Sequence, residues 1–387
     1  MHAAIKHSEP ESFRDSRSWA HYQPGVRNSM LRAPGFMQRP LTFITGHAID
    51  GQAPLLRLGP LARSIASFFI AALLAIGIGA LIRQNSIIGY LLLIPYWIVF
   101  TGILRAFQLV YGHHAIHTAI TEDKKIDSLL GALYTIIPLV MNEDDYRRTH
   151  LTHHSAKTFC TEDDDDAAFL LELGFRPGMT KKALWRHLMI APLTPRFHAA
   201  FLRARFRSNF LSGPKWRIAA SVVWAMMLLS YGWYLGLAPF FLAIVVPFAF
   251  LYNFAALLNF MTEHPWMSDD GTGGSRDQYQ SKCWGRFCGE PYPPANSGLR
   301  QVTWWWVKMF GLHLPVRLFA LIGDVTVHDL HHLYSYPPVS ADWVYSIFRR
   351  QELLAYDTKG MAERELWGIR NTIDSVFEGL SNRRVSK

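Results

Sequence analysis

From Ile218 to Thr262 the chain runs for 45 residues without a charged side chain. A segment that long and that apolar suits two helical crossings of a hydrocarbon layer about 30 Å thick. Gly232, Gly236 and Pro239 mark the turn between the two crossings. Two further uncharged runs, Ser64 to Ile82 and Ser86 to Leu104, are 19 residues each, about the length of one crossing. The expected fold class is all-α integral membrane, with four transmembrane helices in two hairpins.

Charge sets the expected sidedness. The hairpin tips, Arg83-Gln84-Asn85 and Gly232 to Pro239, hold one basic residue between them, whereas the chain has 39 Lys and Arg in all. The basic residues concentrate before, between and after the hairpins, which places those segments on the cytosolic side. This divides the chain into a cytosolic N-terminal arm (1–58), a membrane domain (59–340) and a cytosolic C-terminal helical tail (341–387). The arm has no apolar core of the signal-peptide kind. Arg196 to Trp216, which mixes Phe with Arg and Lys, reads as a helix in the headgroup layer. The apolar stretch from Gln301 to Ile322, with Trp304, Trp305 and Trp306, reads as re-entrant or surface-lying helices. A net charge of +9 suits an anionic membrane face; no nucleic-acid motif accompanies it, so nucleic acid is not an expected partner. Cys160, Cys283 and Cys288 form neither a disulfide framework nor CxxC pairs, as in a reducing compartment.

Nine of the 17 histidines fall in four short clusters: His113 and His117; His150, His153 and His154; His264; and His328, His331 and His332. Residues at i, i+3 and i+4 share one helix face, so each cluster can aim at one point. All four fall on the expected cytosolic side of the spans. Neutral imidazole is the commonest metal ligand, and imidazoles crowded beside a membrane need partners that a metal supplies. A lone HxxxH is a weak signal, but two copies of HxxHH in one chain are not. His114 competes with His113 for the first cluster, since His114 and His117 are also i, i+3; His113 is preferred. The scattered His2, His7, His21, His47, His187, His198 and His313 read as structural or solvated.

HxxxH, HxxHH and HxxHH around two membrane hairpins resemble the membrane fatty-acid desaturase superfamily, which includes membrane hydroxylases and alkane monooxygenases. The likeness runs from about Leu61 to Pro338. It implies four spans capped by a cytosolic helical domain that holds a histidine-rich di-iron site, with one more histidine after the last span. Asn259-Phe260-Met261-Thr262-Glu263-His264 is placed to supply it, in a form nearer the NYxEH of alkane monooxygenases than the NxxxH of acyl-CoA desaturases. The implied ligands are thus His113, His117, His150, His153, His154, His264, His328, His331 and His332, holding two iron ions with O2 as cosubstrate.

Side chains that orient the ligand rings are expected from Glu263, Asp324 and Asn259, with Asp324 favoured among the acids and Asp329, Asp144 and Asp145 as further candidates. The acidic run Asp163 to Asp166 reads as a solvated or capping block, and Arg105, near the end of a span, as a side chain that binds an acidic headgroup or, in preference, snorkels to the interface. The resemblance implies an O2-dependent oxidoreductase that introduces a double bond into a fatty-acyl or other lipid chain. Without an attached HPGG haem motif, its electrons come from a separate donor, a ferredoxin or cytochrome b5 with its reductase. The alternatives are hydroxylation or oxidative loss of the carboxyl group to leave a terminal alkene. A zinc-dependent membrane hydrolase needs about three protein ligands and leaves six histidines idle; a metal transporter needs ligands near mid-membrane. The expected location is a bacterial inner membrane or endoplasmic reticulum, with the histidines facing the cytosol.

Overall fold

The computed structural model describes residues 21–56, 58–267, 276–334 and 343–382. Among them the regular structure is helical apart from two three-residue strands, Gly285–Phe287 and Glu365–Trp367, which pair in parallel. Four helices are long and apolar enough to cross a membrane: Pro60–Arg83, Leu93–Ile116, Lys215–Leu235 and Leu237–Glu263. They are spans 1 to 4 below. Spans 1 and 3 leave large apolar side chains such as Phe69, Leu73, Met226 and Trp233 exposed, as helices facing lipid rather than water do.

The second uncharged run does not map onto one helix. Its first residues form a separate short helix, Ile87–Leu91, and span 2 begins at Leu93 and continues beyond Arg105. Arg105 ends the run of uncharged residues without ending the helix, because its side chain is only 1% exposed. It does not snorkel. His113 therefore stands in the last turn of span 2 and not after it.

Backbone geometry explains how the spans fit together. Gly236, between spans 3 and 4, adopts φ 88, a conformation open to glycine and costly for other residues. Span 4 contains a wide π-helical segment, Phe241–Leu251, with Pro247 inside it. Proline has no N–H to donate, so carbonyls one turn back lose their partner. In a membrane such groups must be satisfied within the protein. Tyr96 of span 2 donates to the Ala243 carbonyl at 2.5 Å and Trp97 to that of Leu242 at 2.7 Å, which ties spans 2 and 4 together.

The segments outside the spans pack on one another. Gln23 N–H donates to the Glu365 carbonyl at 2.8 Å, His47 Nε2 lies 2.9 Å from the Glu365 carboxylate, and buried Arg27 bonds the His47 carbonyl. The later part of the arm thus packs against the chain's C-terminal strand. Residues 1–20 and the domain boundary near 340 lie outside the described residues. Helix Pro195–Phe206 buries Phe197, Phe201 and Arg205 and exposes Arg203. Leu299–Lys308, Met309–His313 and Leu314–Phe319 follow one another as contiguous helical segments, and they are not among the four span-length apolar helices.

Candidate metal centre

Each histidine cluster sits at a helix end. A π-helical turn, Phe107–Gly112, precedes His113 and His114 at the end of span 2. The second cluster occupies the last turn of helix Glu143–His153, whose start is capped by the Asn142 side chain accepting from the Asp145 N–H. The third lies on the short helix His328–Leu333. His264 follows span 4 in extended backbone, φ −144 and ψ 161.

These ends converge. His113, His117, His150 and His331 form one group and His153, His264, His328 and His332 a second, each with ligand nitrogens within 4.8 Å of one another. His154 lies between them: its Nε2 is 2.9 Å from His331 Nε2, and its ring stacks on His332 at 4.2 Å. All nine histidines singled out from the sequence are thus in one assembly, and eight of them fall into the two groups.

Proton counting shows why this arrangement suits a cation. The Nε2 atoms of His113, His150 and His331 are mutually 3.0 to 3.1 Å apart. A neutral ring carries one N–H, and one N–H on Nε2 cannot bridge both neighbours, so lone pairs are left facing one another. Two nitrogens bound about 2.1 Å from one ion at right angles stand about 3 Å apart, which matches the observed spacing. His264 points the same way. Its Nδ1 donates to the Lys282 carbonyl at 3.0 Å, while its Nε2 is buried with no partner among the described residues. The residues present fit a metal.

Electrostatics leave most of the rings neutral, the form in which imidazole binds metal. Burial, reinforced by neighbouring imidazoles, pushes His150, His154, His264, His328, His331 and His332 well below the ordinary histidine value. His117 falls to about 4, mainly through burial. His153 is the exception. Burial pulls it down, but the hydrogen bond and charge of Asp164 outweigh this and hold it up at about 9. With Nδ1 2.9 Å from Asp164, His153 would hold a metal through Nε2 in its neutral form.

The orienting partners differ from the sequence reading in part. Glu263 accepts from Arg286 at 3.1 Å and lies 3.2 Å from His328 Nε2, and Asn259 donates to Glu263 at 3.2 Å. Asp324 pairs at 2.9 Å with His114, so the second histidine of the first box faces this acid while His113 joins the four-ring group. Asp329 faces Arg350 instead of a histidine. Asp144 is exposed and Asp145 pairs with Arg148.

Three residues escaped the sequence reading. Asp164 is fully buried, where its run of acids read as solvated or capping; it does cap helix Asp165–Glu172, and it also holds His153, which the sequence did not show. Arg286 comes from a strand distant in sequence. Tyr279 lies 2.7 Å from His332 Nδ1. Only the helix start after Asp164 offered a signal. Asp164→Asn should weaken metal binding about 10- to 100-fold, the usual loss when a ligand's outer partner is removed. Metal content after titration with a chelator checks this, and unchanged retention would make Asp164 a capping residue alone.

A cavity of about 780 Å³ opens beside the centre. Its walls include His113, His150, His153, His328 and His331 together with apolar Phe169 and Phe260. An apolar chain can therefore lie against the imidazoles.

The fatty acid desaturase family model matches residues 88–338 of the chain. A comparison with curated proteins returns no match. With 251 of 387 residues matched (338 − 88 + 1), and with the histidine clusters gathered at the ends of apolar spans, the chain belongs to the fatty acid desaturase family.

Proposed function

We propose that this protein is a multi-pass membrane oxidoreductase that introduces a double bond into a fatty-acyl or other lipid chain, with two iron ions held by the nine clustered histidines. The single observation that carries the reading is the pair of four-histidine groups beside the cavity. Eight imidazoles in two sets exceed what one ion takes and suit iron as nitrogen donors. When bound, such a metal pair supplies activation of O2 for removal of hydrogen from an unactivated methylene.

The balance is –CH2–CH2– + O2 + 2 electrons + 2 H+ → –CH=CH– + 2 H2O. The two electrons come from a separate donor, a ferredoxin or cytochrome b5 with its reductase, docking on the basic cytosolic face. The chain's own residues position the reaction. Asp164, the Lys282 carbonyl and Tyr279 fix individual rings, and Phe169, Phe201 and Phe260 on the cavity wall give the substrate chain apolar contact. In this reading the spans form two hairpins, and the segments around them form a cytosolic cap over the histidines.

Mass spectrometry of lipids from cells with and without the chain tests the reaction. Loss of two hydrogens supports it; gain of one oxygen, or loss of carbon dioxide to leave an alkene, replaces it with hydroxylation or decarboxylation. Elemental analysis should find two irons per chain, and one zinc with no iron would turn the reading towards a hydrolase.

Sidedness has its own test. A cysteine introduced at Asn85 or Leu235 should react with an external impermeant label, and one at Gly178 or Lys359 should not. The opposite pattern would place the histidines away from a cytosolic reductant.

A further inference from the structure

The cavity beside the histidines has a charge that the reaction above does not use. Arg105 lines it and is 1% exposed. Its Nε has no hydrogen-bond partner among the described residues, and its guanidinium lies 5.5 Å from the centre of the Tyr252 ring. A buried cation without a bound anion is costly. The nearby acids are engaged elsewhere: Glu263 with Arg286 and His328, Asp324 with His114. Arg205, whose guanidinium lies 5.0 Å from the centre of the Tyr252 ring, differs. It donates to the carbonyls of Leu139, Phe248 and Pro138 and to Asn253, which occupies its donors.

We infer that Arg105 binds the carboxylate of the substrate, so that the chain taken up in this cavity is a free fatty acid rather than a thioester or a phospholipid. The inference rests on the reading of the cavity as the substrate's place. A guanidinium fork matches a carboxylate through two parallel hydrogen bonds. Arg148, Arg203 and Arg207 also line the cavity but are exposed to water, so Arg105 is the buried arginine whose guanidinium answers a negative charge there. A phosphate-rich carrier brings several charges, more than one buried guanidinium pairs. Apolar Phe169, Phe201 and Phe260 also line the cavity and can accommodate the hydrocarbon tail. Arg105 precedes His113 by eight residues in one span, about 12 Å along a helix. The position of oxidation is then counted from the acid end of the chain.

Equilibrium binding to the purified full-length protein tests this without turnover, using dodecanoate, methyl dodecanoate and dodecyl phosphate as probes. Dodecanoate should bind roughly 10- to 100-fold more tightly than its ester, the range expected for charge-assisted hydrogen bonds. Arg105→Gln should bring the acid down to the affinity of the ester while leaving the ester unchanged, and Arg105→Lys should keep part of the preference. Equal binding of acid and ester by the unaltered protein would overturn the inference; so would an equal loss of both in Arg105→Gln, or tighter binding of dodecyl phosphate than of dodecanoate. The comparison of acid with ester needs no variant, so a misfolded Arg105→Gln protein does not block the decision. Acid binding without any oxidised product would sink the proposed reaction and leave the carboxylate site standing.

Discussion

His264→Ala should abolish product formation and lower bound metal while the protein still inserts and accumulates. The ring gives its Nδ1–H to the Lys282 carbonyl and leaves Nε2 buried beside three other imidazoles, with no hydrogen-bond partner among the described residues. Alanine removes that nitrogen from the group it forms with His153, His328 and His332. Loss of a partner behind a ligand costs about 10- to 100-fold in metal affinity or activity, so loss of a ligand itself should exceed that range. His313→Ala is the control. His313 is also buried, with neither ring nitrogen paired among the described residues, so its truncation breaks no hydrogen bond there and should leave most activity intact. Metal content and product are measured on both variants, and equal activity would remove His264 from the ligand set.

The largest effect on stability should come from Arg350→Met. Arg350 is 1% exposed and bridges two buried carboxylates, Asp329 in the third histidine box and Glu365 in the C-terminal strand, each at 2.9 Å. Its removal takes the ion-pair partner from Asp329 and leaves Glu365 with His47, and leaving a buried charge unpaired costs about 3–5 kcal/mol. Thermal unfolding in detergent should fall by several degrees, and adding Glu365→Gln should recover part of the loss. Burial raises the Glu365 carboxyl, but His47 and Arg350 overcome this and hold it at about 2, below its ordinary 4.5. A depressed carboxylate stabilises the fold above its unfolded value and ceases to do so as pH falls through its folded value. Stability should therefore decline between about pH 4.5 and 2, less steeply in Arg350→Met. An unchanged melting temperature in the variant would show that the bridge contributes nothing net.

The sequence alone determined the four apolar stretches and the histidines worth following. Both signals are local: an uncharged run reports its preference for lipid through its own composition, and HxxHH places its rings on one face through helix geometry alone. The choice of His113 over His114 was legible only as a preference, because both make allowed pairs with His117. Tertiary structure separates them by bringing Asp324 to His114 and His150 and His331 to His113.

The remaining features depend on residues that meet only in the folded chain. Arg105 looked like the end of a span because its charge is visible in sequence and its burial is not. Asp164 looked like a solvated or capping acid among its neighbours, yet it alone of Asp163 to Asp166 is fully buried, against His153. Arg286 and Arg350 reach the histidine boxes from segments 23 and 21 residues away from their carboxylate partners. Buried charges are placed by the requirement that each find a partner out of water, and that pairing across separate elements is decided only when the spans and the chain's two ends pack together.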